Sequence, residues 1–76
     1  MKAVRYYIKG MPLMEEGIYN NCLKTLSEAK QYVEDNAEPG FKSSIYGQDK
    51  NGNHVSRTRF EVAGDYSVKF GRTTAE

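Results

Sequence analysis

The chain is poor in the residue types that small domains use for chemistry. Its single cysteine, Cys22, cannot close an internal disulfide, so a reducing compartment is the simplest expectation and Cys22 reads as a small buried apolar residue. One histidine is present, His54, and neither the partner that a general base needs nor the several ligands of a metal site are signalled. His54 follows the Asn51-Gly52 pair and reads as an exposed turn residue. No apolar run is long enough for a signal peptide or a membrane helix, because Met11 to Met14 is interrupted by Pro12 and followed by Glu15 and Glu16. An excess of charge of one sign is missing too: eleven Lys and Arg face ten Asp and Glu, a net charge of +1. That balance excludes both an acidic mimic of DNA and a basic packaging protein. The expectation is a soluble, cytoplasmic protein forming one small domain over residues 1–76, not an enzyme and without a cofactor.

What the chain does have is alternation. Phe41 and Ile45, then Phe60 and Val62, then Tyr66, Val68 and Phe70 recur with the period of half-buried strands. Asp49-Lys50-Asn51-Gly52 and Ala63-Gly64-Asp65 supply the turns between them, which predicts an antiparallel meander. Near the start, Val4, Tyr6 and Ile8 alternate with Arg5, Tyr7 and Lys9, which predicts a first strand over 3–9. Residues 13–24 are the least readable, with a short strand near Ile18 to Leu23 as the expectation. Thr25-Leu26-Ser27-Glu28 has the pattern of a capping box, so a helix of about ten residues is predicted from Leu26, stopped by Pro39 and Gly40. Its apolar stripe is Leu26, Ala29 and Val33, with Tyr32 beside it. The fold expected is α+β: an antiparallel sheet of about four strands with one α-helix packed on one face, in the order β-α-β-β-β. The helix is expected to cover Val4, Tyr6, Ile8, Phe41, Ile45, Phe60, Val62, Tyr66, Val68 and Phe70. The tail 71–76, without an apolar anchor, is expected to fray.

The same period sends the intervening residues to the uncovered face. The candidate partner-binding residues there are Arg5, Tyr7, Lys9, Lys42, Tyr46, Arg57, Arg59 and Lys69, with Ser44, Ser67 and Glu61 between them. Six of the eleven basic residues fall in this set with one acid, whereas the helix side carries Glu28, Glu34, Asp35 and Glu38. Arg forks suit carboxylate or phosphate, and Tyr rings fill pockets or stack on bases, so the pattern points to docking on something anionic. A solvated outer face built from good strand residues is the alternative.

Met1-Lys2-Ala3 followed by Tyr7-Ile8-Lys9, and Leu26-Ser27-x-Ala29-Lys30 at a helix start before a meander, resemble the layout of small phage-encoded anti-CRISPR proteins. The layout is similar to that of a group of type I-F inhibitors with a strand, a helix and then a hairpin sheet. The chain departs from that layout by a longer insertion between Gly10 and Lys24 and by a longer hairpin, and no contact residue transfers because no matched position is distinctive. The resemblance implies a phage or mobile-element protein that binds a host CRISPR-Cas surveillance complex stoichiometrically and blocks its access to nucleic acid in the host cytoplasm. Two other readings stand beside it. One is a small nucleic-acid-binding module, with Tyr7 and Tyr46 as stacking platforms and Arg5, Arg57 and Arg59 on phosphates, against which a charge of only +1 weighs. The other is an accessory interaction domain without autonomous activity. A monomer or small homo-oligomer and no membrane partner complete the expectations.

Overall fold

The computed structural model describes residues 3–10 and 23–75. Four strands, β1 (Arg5–Ile8), β2 (Lys42–Gln48), β3 (His54–Val62) and β4 (Val68–Ala75), form one antiparallel sheet in the order β1-β2-β3-β4. The single helix, α1 (Leu26–Asn36), falls between β1 and β2 in the chain, so the domain is α+β in the order β-α-β-β-β.

Helix α1 starts where its cap requires. The Thr25 hydroxyl accepts the Glu28 amide at 3.1 Å, while the Glu28 carboxylate accepts the amides of Lys24 at 2.8 Å and Thr25 at 3.3 Å. The Glu28 amide of the first turn and the two amides that lead into the helix are thereby satisfied. At the other end the Asn36 side chain donates to the Tyr32 carbonyl at 2.9 Å and Gly40 turns the chain with a φ of 87°. Ala29 and Val33 are fully buried, and Leu26 and Tyr32 pack at the margin. With Ile8, Ala37, Ile45, Phe60 and Val62 they form one core.

The helix lies over β1 and β2 rather than across the whole sheet. Beyond it, Phe60 bridges Phe41 and Phe70 with ring centroids 5.8 and 6.0 Å apart, and the Lys30 ammonium sits 5.2 Å from the Phe70 ring. Two expected core residues are therefore not covered: Val4 is 49% exposed ahead of the shorter β1, and Tyr66 is 63% exposed in a turn. The expectation of a frayed tail is also overturned, because Thr73, Thr74 and Ala75 pair with Thr58, Arg57 and Ser56 and carry β4 on. Backbone pairing, with Thr73 Oγ1 2.6 Å from Thr58 Oγ1, replaces the apolar anchor that the tail lacks. The expected strand near Ile18 lies outside the described residues, except that Leu23 accepts the Tyr6 amide at 2.7 Å on the outer edge of β1.

Both hairpins use the same loop. In the first, Asp49 donates to the Asn53 carbonyl and accepts from Gly52, with Gly52 at a φ of 87°. In the second, Ala63 donates to Ser67 and accepts from Tyr66, with Tyr66 at a φ of 74°. That left-handed position suits glycine, and a Tyr there is strained. Tyr66→Gly should raise the unfolding free energy by about 1 kcal/mol, the left-handed penalty less the added chain entropy of Gly. Urea denaturation checks it, and a loss of stability would mean that the Tyr66 ring makes a contact worth more than the strain.

Each loop is also tied by an aspartate. Asp49 Oδ1 accepts the amides of Asn51 and Asn53, and Asp65 accepts the hydroxyl and amide of Ser67. The Asn53 amide above all holds the Asp49 carboxyl below the ordinary aspartate value although burial opposes it, and the Ser67 hydroxyl does the same at Asp65. A value depressed in the folded state adds stability that is present above the unfolded aspartate value of about 4 and is lost as the pH falls through the folded value. Melting temperature should therefore stay level through neutral pH and drop on acidification below about pH 4. Asp49→Asn should flatten that drop, whereas an unchanged acid limb would remove Asp49 as its source.

Candidate docking surface on the open sheet face

The face away from α1 is built by strand period and pairing register. Tyr7 stands opposite Tyr46, Tyr46 opposite Arg57, and Arg57 opposite Thr74; two residues along, Ser44 faces Arg59, and two residues further Lys42 faces Glu61 and Glu61 faces Lys69. Register thus gathers Tyr7, Lys42, Tyr46, Arg57, Arg59 and Lys69 on one surface. Arg5 extends it at the start of β1, and Lys9 follows the end of that strand. Ser67, expected on this face, instead sits in the second hairpin loop with its side chain on Asp65.

The centre of the face is an interlocked cluster. The Tyr7 and Tyr46 rings stack at 5.4 Å, His54 stacks on Tyr46 at 4.8 Å, and the Tyr7 hydroxyl lies 3.1 Å from His54 Nε2. Arg57 closes it: its Nε donates to the buried Ser44 hydroxyl at 3.1 Å, and its guanidinium carbon lies 5.6 Å from the Tyr46 ring centre. Partial burial, and then the nearby Tyr46, raise the Tyr7 hydroxyl above its ordinary value, so it stays protonated. Anchoring Arg57 through Nε leaves the terminal nitrogens of the fork for a carboxylate or phosphate. Beside the cluster an open groove of about 470 Å³ is lined by Lys42, Arg57, Arg59 and Lys69, and a second of about 480 Å³ by Arg57, Arg59, Arg72 and Thr74. Glu61 is the one acid lining the first groove.

Two residues of this surface escape a strict alternation, and in both cases a bulge is responsible. Counting back from the inward Phe60, His54 would fall on the covered face, but an extra residue at the Gly47/Gln48 shift pairs it with Gln48 and turns it outward. On β4, Gly71 and Arg72 together oppose Arg59, so Arg72 joins the open face instead of following Phe70 inward. His54 is exposed, as expected, but it is a stacked strand residue and not a free turn residue. The Asn-Gly turn next to it was the available signal, since such loops are where register shifts concentrate.

Among the described residues no three His, Cys, Asp or Glu side chains gather as a metal site, and no helix is long and apolar enough to cross a membrane. Fold and face together define a small α+β domain with one helix-covered sheet surface and one basic, aromatic, open one. No family model, curated protein or solved structure matches the chain.

Proposed function

We propose that this protein works by stoichiometric binding: it docks its open sheet face on an acidic surface of a host nucleic-acid machine and blocks access to nucleic acid. The observation that carries the reading is one face where grooves lined by Lys42, Arg57, Arg59, Lys69 and Arg72 lie beside a pre-packed Tyr7-Tyr46-His54 cluster. Tyr and Arg are the residue types that dominate interface energetics, and rings already locked together lose little freedom on binding. Tyr46 is flanked by Tyr7, His54 and Arg57, so its ring is engaged within the protein itself. That favours a protein surface over unstacked bases, which need a free ring face. The resemblance in layout to type I-F anti-CRISPR proteins makes the RNA-guided surveillance complex the target class to test first.

Charge reversal separates this face from the helix. Arg57→Glu with Arg59→Glu should weaken binding to the purified surveillance complex at least about tenfold, the loss expected when attraction across an interface becomes repulsion. Glu34→Lys with Asp35→Lys, on the exposed side of α1, should leave affinity within a few fold. Loss in the helix variant with retention in the sheet variant would move the docking surface to α1. Binding of an isolated oligonucleotide with strong salt dependence, and no complex with protein, would make the chain a nucleic-acid-binding module instead.

A further inference from the structure

Strand β4 closes the sheet on one side, and among the described residues nothing pairs with its far edge. Which backbone groups it offers there follows from register. Val62 donates to Phe41 and accepts from Gly40, so its amide and carbonyl point to the β2 side. By alternation the same holds for Phe60 and Thr58. Their β4 partners, Val68, Phe70 and Thr73, therefore turn their own amides and carbonyls away from β3, to the open edge. This edge runs the length of an eight-residue strand.

The side chains along β4 are sorted by face. On the helix side Val68 and Phe70 are only half-buried, because α1 lies over β1 and β2 and leaves this flank thinly covered. On the open side stand Lys69 and Arg72, with Arg59 next to them across the bulge. A second copy of this chain pairing through the same edge would bring Lys69 and Arg72 against like charges, which disfavours self-association. An extended segment with acidic residues on one face and apolar residues on the other meets all three features at once. We infer that the free edge of β4 takes such an acidic, alternating segment of a protein partner as a fifth strand, by β-augmentation. The inference rests on the open face docking on an acidic protein, and it names how that partner is gripped: backbone bonds at Val68, Phe70 and Thr73, and carboxylates on Lys69, Arg72 and Arg59.

The test uses the full chain, isotope-labelled, titrated with a capped peptide of alternating Glu and Val as long as β4. Amide hydrogen exchange at Val68, Phe70 and Thr73 should slow at least about tenfold on saturation, as expected for amides that enter a ladder. A Lys-Val peptide of the same length and an oligothymidylate should leave those amides unchanged. Lys69→Glu with Arg72→Glu should reverse the preference, losing the Glu-Val peptide and gaining the Lys-Val one. The inference is overturned if the Glu-Val peptide shifts the arginine side chains without protecting the edge amides. It is overturned equally if those amides are already protected in a concentration-dependent way without peptide, which would place a second copy on the edge. If the Arg57→Glu, Arg59→Glu pair abolishes binding to the surveillance complex while the β4 amides stay unprotected in that complex, face docking stands and the strand addition alone falls.

Discussion

Truncating Phe60 to Ala is expected to lower stability by about 3 to 5 kcal/mol, the range for deleting a buried aromatic side chain. The residue is 4% exposed and sits mid-sheet on β3, opposite Ser43 on one side and Phe70 on the other. Because α1 lies over β1 and β2, the Phe41-Phe60-Phe70 row, together with the buried Val62, gives the β3-β4 arm its apolar contact with the rest of the domain. Its small neighbour Ser43 cannot fill the space, so the cavity should persist. For a domain of this size the loss approaches the whole margin of stability, and β4 should release first. Chemical denaturation with amide exchange on β4 measures both effects. A cost below about 1 kcal/mol would show that the site collapses around the deletion and that Phe60 is not the hinge of the core.

The second large effect is expected from adding atoms. A Cβ on Gly47 would run into the Ser56 hydroxyl and come within 2.9 Å of both the Ala3 Cβ and Tyr6 Cε2. Gly47 lies on an inner strand, paired with Tyr6 on β1 and Ser56 on β3, so the backbone has no direction in which to retreat. Gly47→Val should cost about 3 kcal/mol, the upper part of the range for overpacking a close-packed site. Gly64→Ala is the matched control, since nothing lies within 4 Å of a Cβ there. It should leave the melting temperature in place. Equal stability of the two variants would mean that Ser56, Ala3 and the Tyr6 ring all give way at little cost.

Much of the architecture is legible in local residue order because its causes are local. Thr25 and Glu28 mark the first turn of α1 through hydrogen bonds that span three residues, and Pro39 with Gly40 marks where it has to end. Asn51-Gly52 and Gly64-Asp65 announce the two hairpins by backbone preference alone. Most of the open face follows by simple alternation, as with Tyr7, Tyr46, Arg57, Arg59 and Lys69. Tyr66 is the instructive exception: its place in the alternating pattern says core, whereas the turn holds it in the left-handed region with its ring in solvent.

What local order determined, then, is the type and sequence of elements, the turns between them, and a basic face opposite an acidic helix. Tertiary structure alone decided how far α1 reaches across the sheet, that β4 continues through Ala75, and that His54 and Arg72 belong to the open face. The reason is physical. Alternation of side chains is a property of one strand, but the place where an extra residue is accommodated depends on two strands at once, through the register that satisfies the most backbone hydrogen bonds. The same holds for the tail, whose stability comes from the carbonyls and amides of β3 and not from any apolar residue of its own.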